Sequence, residues 1–487
     1  MDRAPIIRPP ATELGATARA DLPLVVDLDG TLLLTDTLVE SLFVLARKHP
    51  LDLLKVPLRL ARGRAQMKRF VAEQAHIDVG KLPRAREVLG YLRAQKAKGR
   101  RLILATGADE KIAHAVADEI GLFDAVLASD GTVNLTAAAK RDRLVAEFGQ
   151  GGFDYIGNSP RDLPIWAAAR HGLLVAPTAR LAAAAQRVTQ VTRVFAEQKA
   201  RFSTYLGAMR VHHWLKNLLL LVPLLAAHRL YDPVMLMNAF VGVVCFSLAA
   251  SGVYLLNDLL DLPTDRRHPR KKERALASGH IPIAHGLVLV PALWLAAAVL
   301  ALWLARPFLA ALGIYVALMM AYSMRLKDIA IVDAFALAVG YTLRILAGSL
   351  AVDIGVSPWL LVCSIAMFFG LALLKRYAEL VTLRASAGPQ ARVRAYRSTD
   401  ATLIAGLGAA AGCIAVALLA LYPIVEPSGH VRWPVWLVCG MLLYWTGHMW
   451  LMAHRGNIHD DPVTYALRDR VSRGFGLATV AVLLLTT

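Results

Sequence analysis

The chain has 487 residues, 56% of them hydrophobic and 18% charged, with 54 Lys and Arg against 36 Asp and Glu and a net charge of +18. Soluble domains run at ~45–50% apolar and ~25% charged, so this composition excludes a wholly soluble enzyme and predicts a membrane protein. The positive balance fits nucleic acid, anionic lipid or the positive-inside bias of a polytopic chain, and its distribution along the sequence decides among them. Cys245, Cys363, Cys413 and Cys439 lie in apolar runs without C-x-x-C spacing, which disfavours a zinc site or a disulfide framework. The opening MDRAPIIRPPATELG has no apolar stretch behind its charges. It is therefore not a secretory signal; residues 1–20 are expected to be flexible and the region after them cytoplasmic.

Residues 21–178 mix charges with short apolar runs. LPLVVDLDGTLL reads as a buried parallel strand delivering Asp27 and Asp29 at its C-terminal edge. A second strand, RRLILATG, ends in Thr106 and Gly107; Lys140 follows in a helical stretch; FDYIGNSPRDL places Asn158 and Asp162 after a further strand. Alternating strands and helices predict a doubly wound α/β (Rossmannoid) sheet with its site at the strand ends. Two carboxylates two residues apart enter one crevice, where one attacks phosphorus and the other handles protons. Thr106 and Lys140 would hold the transferred phosphoryl oxygens, and Asp162 would help bind magnesium.

The D-x-D-G-T, T-G, Lys and G-N-x-x-x-D-L series resembles the haloacid dehalogenase (HAD) superfamily of phosphatases. The resemblance implies Asp27 as nucleophile, Asp29 as general acid/base, and Asp27, Asp29, Asn158 and Asp162 around a Mg²⁺ ion. The fourth motif departs from the usual G-D, with Asn158 replacing a carboxylate by a neutral amide. A degenerate domain kept for stability or docking is the alternative. Residues 36–95 would form a small helical cap, too short to enclose a large substrate. Residues 179–204 place Val188, Val191, Val194 and Phe195 on one helical face with Arg and Lys opposite, as in a basic amphipathic linker helix on the membrane surface.

Residues 205–487 repeat apolar runs of about 17–22 residues, each long enough to cross ~30 Å of hydrocarbon as a helix. Nine are expected, at about 214–228, 235–256, 286–305, 307–323, 329–350, 358–374, 401–422, 434–452 and 471–487. Eighteen basic residues fall in the loops after the second, fourth, sixth and eighth spans, against three (Arg229, Arg306, Arg432) in the alternate loops. The basic loops are therefore expected in the cytoplasm with the HAD-like domain, at the inner membrane, and nucleic acid is not needed to explain the charge.

After the second span comes YLLNDLLDLPTDRRHPRKKERALASG, where Asn257 is followed by Asp258, Asp261 and Asp265, three carboxylates with the spacing of one helix face if the helix continues past Pro263. Carboxylates crowded at the end of a span repel one another unless metal neutralises them, and magnesium diphosphate is the natural ligand. His268, Lys271 and Arg274 follow as phosphate donors.

N-D-x-x-D-x-x-x-D at this position resembles the UbiA superfamily of intramembrane prenyltransferases, an all-α polytopic fold. The resemblance implies Asp258 and Asp261 as catalytic carboxylates, with Asp258, Asp261, Asp265 and, from a second loop, Asp333 as magnesium ligands. Tyr322 and Lys327 lie in that second loop, and Arg344 is a buried cation within a span, a functional candidate by default. RVHHWLKN, H-P-x-K-x-x-R and LLKRYAEL resemble the decaprenyl-phosphate phosphoribosyltransferase branch. There the diphosphate belongs to phosphoribosyl pyrophosphate and the acceptor is a polyprenyl phosphate. The cations Lys216, Lys271, Arg274, Lys375 and Arg376 suit a site handling several phosphates. The resemblance thus implies a Mg²⁺-dependent phosphoribosyl transfer, with the HAD-like domain removing the 5-phosphate. Aromatic prenyl transfer from a polyprenyl diphosphate, or a non-catalytic membrane carrier or scaffold, are the alternatives. The last basic loop carries His459, Asp460, Asp461, Asp469 and Arg470, either to close over the site or as structural ion pairs. No pattern specifies an oligomeric state.

Overall fold

A computed structural model describes residues 22–485 apart from 197–199, 228, 269, 356, 388–391, 394, 426–432 and 459–460. The expected flexible N-terminus, and His459 and Asp460, lie outside the described residues. The chain divides into two compact units: one takes the chain through Tyr205 together with Asp258–Gly286, the other Leu206–Asn257 and Leu287–Thr487.

In the first unit six parallel strands, β1 (Leu24–Val26), β2 (Leu102–Asp109), β3 (Ala125–Ser129), β4 (Asp154–Gly157), β5 (His171–Val175) and β6 (Gln190–Phe195), form one sheet in the order β3-β2-β1-β4-β5-β6. Val26 is in register with Leu104 on one side and Ile156 on the other. The three central strands are therefore aligned there, and Asp27 and Asn158 emerge just past the ends of β1 and β4 beside Thr106 of β2. Because the chain builds outward from β1 first to one side and then to the other, that edge between β1 and β4 is the switch point where doubly wound sheets bind ligands. Leu24, Val26, Leu102, Leu104 and Ile156 face one core, and Val25, Ile103, Tyr155 and Leu174 the other, so both faces are buried.

Helices α1 (Thr37–Lys48), α2 (Val56–Ala61) and α3 (Arg64–Ala75) make the cap, with Leu45, Met67 and Val71 as its own small core. Next, α4 (Arg86–Ala97) and α5 (Glu110–Ile120) pack on the first sheet face through Val88, Leu92, Ile112 and Val116, so the cap ends before α4. On the opposite face α6 (Ala138–Phe148), α7 (Leu163–Trp166) and α8 (Ala179–Val188) supply Leu144, Trp166 and Leu181.

The expected linker helix over 179–204 is corrected here. It runs only through Val188; Thr189 turns extended, and 190–195 become the edge strand β6. The β-branched density of this stretch favours a strand. A register shift opposite Gly172 and Leu173 sends Val191 and Phe195 to opposite cores, which mimics a helical spacing in the sequence. The sheet domain therefore extends beyond residue 178 to Phe195.

The helical elements continue with α9 (Phe202–Ala208), α10 (Val222–Ala226), α11 (Pro233–Leu260), α12 (Leu262–Asp265), α13 (Ile283–Ala301), α14 (Arg306–Met324), α15 (Val332–Val352), α16 (Pro358–Ala387), α17 (Ala401–Val425), α18 (Trp433–His454), α19 (Pro462–Arg468) and α20 (Arg470–Leu485). Among the described residues seven helices are long and apolar enough to cross a membrane, α11, α13 to α18. They coincide with seven of the nine expected spans. The first expected span is instead a 3₁₀ turn series, Val211–Leu221, running into the five-residue α10 with Pro223 near its start. The last, α20, is described over 16 residues, Arg470–Leu485.

Candidate functional site

At the sheet edge Lys140, carried inward by α6, places Nζ 2.6 Å from Asp27 Oδ1 and 3.1 Å from the Tyr155 hydroxyl. Asp27 Oδ2 accepts from the Thr31 hydroxyl at 3.4 Å. Asp29 turns the other way: the first turn of α1 gives it the Thr37 N–H at 2.8 Å and the Thr37 hydroxyl at 3.2 Å. Burial, with Asp36 and Asp27 nearby, pushes the Asp29 carboxyl up to about 7. The two carboxylates thus differ: one bound by an ammonium, the other poised near neutrality.

Thr106 is fully buried, and its hydroxyl oxygen accepts the Ala108 N–H at 3.0 Å. Asp162, expected at magnesium, directs Oδ2 to the Asn158 and Ser159 N–H groups, at 3.1 and 2.9 Å, and Oδ1 to the Tyr155 hydroxyl at 3.0 Å. Its oxygens are engaged in shaping the Gly157–Ser159 turn. Burial and Asp27 raise its carboxyl to about 6. The Asn158 side chain lies against Gly30, where a Cβ would stand 2.2 Å from Asn158 Nδ2; only glycine, at φ +74°, fits that approach.

Sequence reasoning missed Lys68 on α3, whose Nζ reaches Gly107 O at 2.6 Å and Asn134 Oδ1 at 2.8 Å and which lines the same cavity. Burial lowers its ammonium while Asp29 and Asp36 pull it back. A lysine on an amphipathic helix carries no signal that separates it from its solvated neighbours.

The carboxylates after α11 do not lie on one continuous helix, because the helix breaks at Asp261 and restarts as α12. Asp258 and Asp265 converge nevertheless. Oδ1 of Asp258 and Oδ2 of Asp265 lie 3.0 and 2.7 Å from the same Arg274 nitrogen, Nη1, and both residues are buried. Arg274, expected on phosphate, occupies the cationic centre of this pair. His268 Nδ1 accepts the Arg270 and Lys271 N–H groups at 3.2 and 3.3 Å, holding the turn in which exposed Lys271 sits.

In the second unit the expected substrate cations are placed differently from one another. Arg344 spends all three guanidinium nitrogens on the chain itself, on Asn217 at 2.8 Å, Gly340 O at 2.6 Å and Tyr315 at 2.8 Å. Arg376 does likewise with Asp333 at 2.6 Å, Glu379 at 2.7 Å and Tyr322 at 3.1 Å, and is 1% exposed. Asp333 is 0% exposed, and its second oxygen accepts from Tyr396. Asp333, expected at magnesium, and Arg344 and Arg376, expected at phosphate, are thus each hydrogen-bonded within the second unit, as buried charge requires.

Lys327 approaches Asn257 at 3.3 Å. Lys216 and Lys375, 159 positions apart in the sequence, meet on one oxygen of Asp461 at 2.8 and 3.1 Å. Burial alone would raise the Asp461 carboxyl, but the Lys375 and Lys216 ammonium groups hold it well below the usual carboxylate range. Asp469 ties the flanking helices together, accepting the Ser472 hydroxyl of α20 at 2.7 Å and meeting His448 of α18 at 3.2 Å.

The UbiA prenyltransferase family matches residues 218–468, and haloacid dehalogenase-like hydrolase matches residues 24–166. An uncharacterized protein of Sinorhizobium fredii, y4nM, is 33% identical over 456 residues, covering 93% of this chain and 88% of that protein. The nodulation protein NoeC of Azorhizobium caulinodans is 35% identical over 276 residues, 56% of this chain and 89% of that protein. Decaprenyl-phosphate phosphoribosyltransferase of Mycobacterium tuberculosis is 33% identical over 286 residues, 56% of this chain and 91% of that protein. The chain belongs to the UbiA prenyltransferase family: it is an integral membrane enzyme of the transferase type, fused to a HAD-like, phosphatase-like domain.

Proposed function

We propose that the protein transfers 5-phosphoribose from phosphoribosyl pyrophosphate to a polyprenyl phosphate at the cytoplasmic membrane face, and that its HAD-like domain then removes the 5-phosphate. The observation that carries this reading is the 33% identity with decaprenyl-phosphate phosphoribosyltransferase over 91% of that protein. The paired cations support it: Lys216 and Lys375 converge on a point that already accepts a carboxylate oxygen, and a phosphate oxygen suits the same pair. In the transfer, an oxygen of the lipid phosphate bonds to C1 of the ribose as the C1–O bond to diphosphate breaks.

Asp258 and Asp265 fit a divalent cation, since their oxygens already share one cationic neighbour, and these two residues would hold it. Magnesium bound there would neutralise the departing diphosphate. At the sheet edge Asp27 and Asn158 would hold a second magnesium, with the neutral amide giving the weaker grip. Asp27 bonds to phosphorus, the P–O bond to the sugar breaks, and the leaving oxygen takes its proton from Asp29. Water then attacks the aspartyl phosphate, giving a proton back to Asp29, while Lys140 and Thr106 hold the phosphoryl oxygens.

The test supplies membranes containing the protein with labelled phosphoribosyl pyrophosphate and polyprenyl phosphate, or with labelled prenyl diphosphate and an aromatic acceptor. The first pair is expected to yield labelled lipid, and Asp258→Ala to abolish it. Label moving only in the second pair would replace this reading by aromatic prenyl transfer.

A further inference from the structure

The cavity of the HAD-like domain is lined not only by the sheet and the cap but also by residues of a distant stretch of the chain, Arg266 to His285. The loop Asp258–Gly286, which carries the carboxylates after α11, belongs to the same compact unit as the sheet. It is pinned in three places. Arg266 pairs with Glu40 of α1 at 2.5 Å, with the two side chains 6% and 3% exposed, and Glu40 also accepts the Thr35 hydroxyl at 2.7 Å. Gly279, at φ +81°, lies so close to the segment between β1 and the cap that a Cβ there would stand 2.6 Å from Leu34 Cβ and 2.9 Å from its carbonyl oxygen. His285 meets the Tyr205 hydroxyl at 2.6 Å. A buried charge pair of this kind is costly to break from either side, so the loop is a fixed part of the pocket.

The cavity so formed measures 1490 Å³ and runs from Asp27, Asp29 and Lys140 to Lys272 and His280 of the loop. That exceeds the ~300–1,000 Å³ of ordinary small-molecule sites, and a sugar phosphate occupies only part of it. Glu40 lies one helical turn beyond Thr37, which holds Asp29, so the loop's anchor and the proton-handling carboxylate hang on the same end of α1.

We propose that the loop Asp258–Gly286 is the substrate-selecting wall of the phosphatase pocket, and that the pocket takes a phosphomonoester bearing a second phosphate group, gripped by Lys272 while Asp27 faces the phosphate to be removed. This rests on the phosphatase reading above and makes it specific. A ribose 5-phosphate whose C1 carries a phosphodiester has that form; free ribose 5-phosphate does not. A single stretch of chain then holds the transferase carboxylates Asp258 and Asp265 at one end and the wall that recognises the transferase product at the other.

The test uses the purified full-length protein in detergent with Mg²⁺, comparing hydrolysis of ribose 5-phosphate with that of a short-chain alkyl-phosphoryl ribose 5-phosphate. The wild type is expected to favour the second substrate in kcat/KM. Lys272→Ala should lower that preference about tenfold through KM, the scale of one charge-assisted hydrogen bond, and Lys272→Arg should restore it. Lys272 is exposed, so neither variant threatens folding. An unchanged preference in Lys272→Ala, with both hydrolyses abolished by Asp27→Asn, overturns the wall and leaves the phosphatase standing. Hydrolysis that survives Asp27→Asn overturns the phosphatase reading and the wall with it.

Discussion

Asp27 and Asp29 are two residues apart, and the surrounding protein gives them opposite characters. Lys140 pairs with Asp27, the proposed nucleophile, whereas burial beside Asp36 and Asp27 lifts Asp29 to about 7. A group that must donate a proton is active below its own pKa, so kcat for an alkyl phosphate is expected to fall as pH rises through about 7. With p-nitrophenyl phosphate, whose leaving group needs no proton, that alkaline limb should vanish. An alkaline limb identical for the two substrates would remove Asp29 from the proton-donor role. Asn158 lies against Gly30 beside this pair, and Asn158→Asp is expected to lower the magnesium concentration needed for half-maximal hydrolysis and to raise the rate. An unchanged magnesium titration would show that position 158 does not face the metal. Asp27 and Thr106 were legible in the sequence because parallel strands deliver such residues to one edge of the sheet, and Lys140 because it follows them in the order of the motif series. Lys68 and Glu40 were not, since each is an ordinary charged residue on an amphipathic helix until the tertiary fold buries it.

At the scale of elements, close backbone approach fixes the second unit. A Cβ on Gly348 of α15 would lie 2.1 Å from the Leu220 carbonyl oxygen, a backbone atom that cannot swing aside, whereas one on Gly313 of α14 would meet nothing within 4 Å. Gly348→Ala is therefore expected to cost ~1–3 kcal/mol by overpacking, and Gly313→Ala to leave stability unchanged or slightly higher. Thermal unfolding of the two variants in detergent measures the difference; equal melting temperatures would refute the packing. Apolar length identified the seven long helices correctly because it is set by bilayer thickness. At the two ends of the helical region the expected runs fall on shorter described helices, Val211–Ala226 with Pro223 inside it and α20. The strand β6 escaped for the opposite reason: its valines keep a three-residue spacing because the pairing with β5 shifts register midway.

For the whole molecule, the same 29-residue stretch, Asp258–Gly286, is proposed to serve two chemistries. Its first turns bear the carboxylate pair bridged by Arg274, and its remainder closes the phosphatase cavity through Arg266 and Gly279. The acidic half of that role was legible as a motif. The walling half was not, because it depends on Glu40 and Leu34, more than 200 residues earlier. The central claim is a two-step sequence, phosphoribosyl transfer followed by loss of the 5-phosphate, in one chain. It is tested most directly by mass analysis of the lipid made from phosphoribosyl pyrophosphate and polyprenyl phosphate by the wild type and by Asp27→Asn. The wild type should accumulate polyprenyl-phosphoryl ribose, and Asp27→Asn the same lipid heavier by one phosphate. Identical products from the two proteins, or no ribosylated lipid from either, would contradict the account.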